Sequence, residues 1–158
     1  MQATCAAETD SLGLSEALLK RFDVPGPRYT SYPTADRFVD TFGPAQYRQA
    51  LHMRSADAPL SLYVHIPFCA SVCYYCACNK VITKHHERSA EYLDALEVEM
   101  DLQTALSGRG RKVTQMHLGG GTPTFLSDPE LTRLMRSLRA RFTIEPGAEC
   151  SIEVDPRT

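Results

Sequence analysis

No stretch of this sequence stays apolar for the ~18 residues that a membrane-spanning helix needs, which argues against a helical membrane protein. No charge of either sign dominates. The net charge is -2, which leaves no electrostatic footprint for DNA, RNA or an anionic membrane. The opening "MQATCAAETDSLGLSE" has neither a basic stretch nor a continuous apolar segment, so a secretory signal is not expected. The expected address is cytoplasmic, where thiols are kept reduced. The glycine run "GGGTP" is not followed by GK[ST] and does not match G-x-G-x-x-G, so it reads as neither a phosphate-binding loop nor a dinucleotide fingerprint. Internal repeats and low-complexity segments are also missing.

What remains is a chain of 158 residues, 43% hydrophobic and 23% charged, enough for one domain with a core. Residues 1–58 are punctuated by proline and glycine and read as an irregular arm. Two short helices are expected in it, over Leu14–Phe22 and Gly43–Arg54. Residues 59–158 have a different pattern. "LSLYVHI" alternates, with Leu60, Leu62, Val64 and Ile66 on one face and Ser61, Tyr63 and His65 on the other, as a strand does. A helix is expected over Ser89–Leu106, with Leu93, Leu96 and Met100 at helical spacing and Gly108 and Gly110 at its end. A strand over Lys112–Leu118 then leads into "GGGTPTFL". Ser127 and Glu130 read as a capping box, opening a helix with a stripe of Leu131, Leu134, Met135, Leu138 and Phe142. A third strand is expected over Glu149–Asp155. The order β-α-β-α-β implies parallel strands with functional loops at their C-terminal ends.

Four of the six cysteines crowd into "PFCASVCYYCACNK". In a reducing compartment, disulfides among Cys69, Cys73, Cys76 and Cys78 are not expected, and the segment is too short to pair them easily. Zinc sites usually take two separated ligand pairs. His85 and His86 would have to be recruited, although they open a charge-rich helix where solvated histidines are the simpler reading. A redox reading of "CYYC" leaves Cys69 unused. So compact a run suits an iron–sulfur cluster held by thiolates. Three protein ligands would leave one of four irons open to chelate a further group.

The spacing C-x3-C-x2-C after a strand resembles the signature of the radical S-adenosylmethionine (SAM) enzymes. "RYTSYPTADRF", "SLYVHIPFC", "CYYCACNK", "YLDALEVEM", "HLGGGTPTFL" and "SIEVDPR" together resemble the oxygen-independent coproporphyrinogen III oxidases, from about Tyr29 to the end of the chain. The resemblance implies an α/β fold, the first part of a radical SAM (β/α) partial barrel preceded by the arm, in a truncated chain. It implies a 4Fe–4S cluster on Cys69, Cys73 and Cys76, with Cys78 matching a family cysteine that does not bind iron. Tyr63 and Tyr75 match positions beside the cofactor. Gly120, Gly121 and Thr122 match the segment along the SAM methionyl group, and Glu153 matches a carboxylate that contacts SAM.

By the same resemblance, a reduced cluster gives an electron to the SAM sulfonium, releasing a 5′-deoxyadenosyl radical. That radical takes a hydrogen from propionate side chains of coproporphyrinogen III. Loss of CO2 and a further electron leaves the vinyl groups of protoporphyrinogen IX. An electron donor, a monomeric state and an arm that covers the substrate complete the implied picture. Arg28 and Arg37 are candidate partners for the substrate's carboxylates, against ordinary surface charge.

Read alone, the glycine run is a tight turn or a place where backbone approaches a ligand. On that reading Gly121→Val should weaken SAM binding and leave the cluster intact. Glu153 alternates with Cys150, Ile152 and Val154 and points away from them. Cys5 and Cys150 read as inert, and His117 as structural. Two rival classes stay open: a non-catalytic haem-binding or haem-trafficking relative, and a zinc-binding interaction module. With only three strands legible, the 158-residue chain is expected not to complete turnover by itself.

Overall fold

A computed structural model describes residues 15–23, 34–55 and 57–156. Cys5, Arg28 and most of "RYTSYPT" lie outside them. The chain divides into two compact units, Met1–Thr41 and Phe42–Thr158. In the first, helix α1 (Glu16–Phe22) begins at Ser15, whose hydroxyl accepts a hydrogen bond from the Leu18 N–H at 3.2 Å. None of its residues is buried. A 3-10 turn, Ala35–Arg37, leaves Arg37 exposed beside Asp36 at 3.5 Å.

The second unit starts earlier than the expected boundary at Pro59. Helix α2 (Pro44–His52) belongs to it, because the Tyr47 hydroxyl donates to Gln103 Oε1 of helix α3 (Arg88–Ser107). Three strands, β1 (Leu60–Ile66), β4 (Lys112–Gly120) and β5 (Thr143–Ile152), form a parallel sheet in the order β1-β4-β5. Two two-residue strands, β2 (Phe68–Cys69) and β3 (Val81–Ile82), form a separate parallel pair. Helix α3 crosses over ahead of β4, and α4 (Asp128–Arg141) ahead of β5.

The alternation read in β1 is what buries the sheet. Val64 and Ile66 pack with Val113, Met116 and Leu118 of β4 against Leu93 and Met100 of α3 and Leu134 and Leu138 of α4. Leu134 is 1% exposed. Leu134→Ala should therefore destabilise the protein by about 2–5 kcal/mol through lost burial and a residual cavity, read as a lower urea midpoint. On the outer side of the two helices, Arg133 reaches Glu97 at 2.9 Å and Asp94 at 2.6 Å, and Arg141 reaches Asp101 at 2.7 Å. The Arg133 and Arg141 guanidinium groups hold the Glu97 and Asp101 carboxyls below their ordinary range. Glu130 closes the expected cap of α4, its carboxylate taking both the N–H and the hydroxyl of Ser127 at 2.8 Å.

β5 departs from expectation. It begins at Thr143 rather than Glu149 and ends at Ile152. Pro146 and Gly147 look like a turn in the sequence, yet they sit where the ladder with β4 slips. Val113 faces Ile144, but Gln115 already faces Glu149. A bulge absorbs the extra residues, and there a proline costs no ladder bond. Cys150, Ile152 and Val154 are exposed on the helix-facing side.

Candidate functional site

The cysteine loop is pinned at both ends. The Val81 N–H donates to the Pro67 carbonyl at 2.7 Å and the Thr83 N–H to the Cys69 carbonyl at 2.9 Å. These bonds form the β2–β3 pair and close residues 70–80 into a ring beside the sheet. β4 is stitched to the start of the same loop. The Gly121 N–H donates to the Ile66 carbonyl and the Thr122 N–H to the Phe68 carbonyl, both at 2.8 Å. After β5, the Glu153 N–H still donates to the Leu118 carbonyl at 2.9 Å.

A cleft of about 580 Å³ opens where these segments meet. Cys69, Cys73 and Cys76 line it from the loop, and Gly120, Gly121 and Thr122 from the exit of β4. Glu153 lines it from the end of β5. Tyr75 and Cys78 line it too, so position alone does not set Cys78 apart. Eight of the nine residues singled out in the sequence are thus brought together. Tyr63 is the exception. It stands on the face of β1 turned away from the helices, its hydroxyl 3.0 Å from His65 Nδ1 and its ring stacked on His117 at 5.7 Å.

Cys69 is buried and accepts a hydrogen bond from the Thr122 hydroxyl at 3.4 Å. The Cys78 N–H, helped by the Lys80 ammonium, holds the Cys76 thiol below its ordinary range. Burial and the neighbouring Cys76 push the Cys78 thiol up. Among the described residues, no three His, Cys, Asp or Glu side chains converge as ligands of a single ion must. The three thiols instead share the wall of a cleft. That arrangement fits a multi-iron group whose thiolates each bind a different iron.

Glu153 is held by two donors. Its Oε2 accepts the Gly120 N–H at 3.1 Å, and its Oε1 lies 3.3 Å from His117 Nε2. His117 lies within β4, which continues past the expected end at Leu118 to Gly120. Its role as a partner of Glu153 was missed in the sequence, although the register offers a signal. Tyr63, His117 and Ser151 pair in one row across the three strands, so they share a face with His65 and Glu153.

The glycine run also has a packing role that its sequence does not reveal. A Cβ on Gly119 would meet His117 Nε2 at 2.8 Å, and one on Gly120, whose φ is 114°, would meet the His65 ring at 2.8 Å. On Gly121 it would meet the Pro67 and Phe68 carbonyl oxygens at 2.7 and 2.8 Å. The space these glycines leave is filled by the protein itself. A bulky residue at Gly121 therefore cannot spare the cysteine loop. The histidines after it do not open the helix either: α3 starts at Arg88, and His86 stacks on Phe125 at 4.3 Å.

A parallel βαβ sheet with a thiol-lined cleft at its C-terminal edge places the thiols where ligands of open α/β folds bind. The family model of the radical SAM superfamily matches residues 63–158. The oxygen-independent coproporphyrinogen III oxidase of Escherichia coli is 50% identical over 141 residues, covering 89% of this chain and 30% of the relative. That of Pseudomonas aeruginosa is 50% identical over 151 residues, covering 94% and 33%. A sequence of the same description from Mannheimia haemolytica is 49% identical and is covered over 94% of its length. The solved structure of the Escherichia coli coproporphyrinogen III oxidase, described as a radical SAM enzyme, superposes with a TM-score of 0.78 at 47% identity, over 90% of this chain and 31% of that one. The chain belongs to the radical SAM superfamily and, within it, to the family of the oxygen-independent coproporphyrinogen III oxidases. It spans about a third of the length of the Escherichia coli and Pseudomonas relatives. No described helix is long and apolar enough to cross a membrane.

Proposed function

We propose that this chain carries the cofactor-binding part of an enzyme that converts propionates of coproporphyrinogen III to vinyls, giving protoporphyrinogen IX. Cys69, Cys73 and Cys76, as thiolates, hold a 4Fe–4S cluster and leave one iron for SAM. Gly120, Gly121 and Thr122 line the methionyl group, with Tyr75 beside it and Tyr63 on the adjoining face. Cluster and SAM, when bound, supply a one-electron reductive cleavage that starts hydrogen abstraction from the substrate. The chain's own groups bind and orient. Glu153 presents a fixed carboxylate to a cationic or hydroxylic ligand, and the Thr122 hydroxyl hydrogen-bonds the Cys69 sulfur, a contact that lowers the charge a thiolate exposes. Arg37 is a candidate for the substrate's carboxylates. An external electron donor is required, and we assign the protein to the cytoplasm as a monomer without nucleic-acid or membrane partners.

One observation carries this reading: the three cysteines, the glycine segment and Glu153, distant in sequence, line one cleft. The test is anaerobic reconstitution with iron and sulfide, followed by absorption and EPR spectra with and without SAM. About four irons and four sulfides per chain are expected, with an EPR signal of the reduced cluster that SAM changes. Bound zinc without acid-labile sulfide would instead mark an interaction module.

A further inference from the structure

His117 has no role assigned above, yet both its ring nitrogens have partners. Nε2 faces Glu153 Oε1 at 3.3 Å, and Nδ1 faces the Ser151 hydroxyl at 2.7 Å. A carboxylate can only accept, so in the neutral imidazole the proton sits on Nε2, and the Ser151 hydroxyl donates to Nδ1. One side chain thus selects the tautomer that another needs. The ring also stacks on Tyr63 and lies so close to Gly119 that a Cβ there would stand 2.8 Å from Nε2. Beyond Tyr63 the contacts continue. The Tyr63 hydroxyl meets His65 Nδ1 at 3.0 Å, and His65 Nε2 lies 2.8 Å from the Asn79 carbonyl of the cysteine loop. A connected set of side chains therefore runs across the sheet face opposite the helices, from the tail of the cysteine loop to Glu153.

We infer that His117 is a positioning residue: with its tautomer set by Ser151, it fixes the Glu153 carboxylate in the orientation that receives SAM. The inference rests on the reading of Glu153 as a SAM contact. Without the imidazole, Glu153 keeps only the Gly120 N–H and can turn about that single bond. A half-exposed carboxylate then loses its orientation to solvent, and the ligand must restore it at an entropic cost. The remote end of the set, at Asn79, ties the same carboxylate to the loop that bears the cysteines.

The test is SAM affinity, measured by equilibrium titration of the anaerobically reconstituted protein before any reductant is added. His117→Ala should weaken binding about tenfold or more, with iron and sulfide content unchanged. His117→Gln, which can still donate to Glu153, should recover most of that loss, and Ser151→Ala should fall between the two. In a Glu153→Gln background, His117→Ala should cost nothing further, because the histidine acts only through the carboxylate. A purely structural histidine would give additive losses, and that result overturns the inference. Native affinity in both His117→Ala and Ser151→Ala overturns it as well. If Glu153→Gln alone leaves affinity unchanged, the reading of Glu153 fails and takes the inference with it. If Glu153→Gln weakens binding while His117→Ala does not, only the inference fails. Should His117→Ala fail to fold, the comparison of His117→Gln with Ser151→Ala decides the matter, since equal native affinity in both is incompatible with a tautomer set by Ser151.

Discussion

Serine in place of Cys69, Cys73 or Cys76 is expected to strip the reconstituted protein of its cluster, while Cys78→Ser keeps it. A serine hydroxyl titrates far above a thiol and stays protonated at neutral pH, so each replacement removes one of the three anionic ligands proposed for the cluster. Losing a supporting contact to a metal ligand already costs 10–100-fold in affinity, by order of magnitude, and losing a ligand costs at least as much. Iron and sulfide should fall below about a tenth of the native content for each of the three. Cys78 lines the same cleft and is the internal control. Its thiol is pushed up by burial and by Cys76, which disfavours the thiolate a metal requires. Direct assay of iron and acid-labile sulfide in the four variants checks the set. A cluster that survives Cys69→Ser and is lost in Cys78→Ser would show that the ligands have been misassigned.

Gly121→Val is expected to disrupt the cysteine loop itself. The new Cβ would stand 2.7 Å from the Pro67 oxygen and 2.8 Å from the Phe68 oxygen. These are backbone atoms at the junction of β1 and β2, so no rotamer change relieves the contact. The bond from the Gly121 N–H to the Ile66 carbonyl crosses the same junction. Relief requires β1 and β4 to separate where the loop that bears Cys69 begins. Overpacking of this kind costs about 1–3 kcal/mol, and here the strain falls on the geometry of the thiols. Cluster content and urea midpoint should both drop. A variant with normal iron, normal stability and only weaker SAM binding would show that Gly121 serves the approach of the ligand and not the packing of the loop.

Much of the architecture was legible because local signals agreed with the fold. Strand β1 followed from the two-residue alternation of "LSLYVHI", the end of α3 from Gly108, and the start of α4 from Ser127 and Glu130. Parallel pairing followed from helices long enough to cross over. The failures share a cause. β2 and β3 are two residues each and exist only because Phe68 meets Val81 across a closed loop, a long-range event with no periodicity to read. The first half of β5 was hidden by Pro146 and Gly147, which the bulge accommodates. At the site, residue types and spacing were enough to select the cysteines, the glycines and Glu153, but not to say what fills the space beside each glycine. His117 was passed over because a single histidine has no pattern. Only the register that sets Tyr63, His117 and Ser151 in one row makes it conspicuous.

That row belongs to a face whose chemistry sorts ligands by charge. It includes Ser61, Tyr63 and His65 from β1, Gln115 and His117 from β4, Glu149 and Ser151 from β5, and Glu153 just beyond β5. These eight residues include two carboxylates and no lysine or arginine. A ligand that brings an ammonium or sulfonium group finds compensation there. A ligand that brings several carboxylates meets repulsion, since like charges placed close together cost several kcal/mol, by order of magnitude. On the proposed reading, that charge pattern favours the cationic reactant on this face and disfavours a polyanionic one.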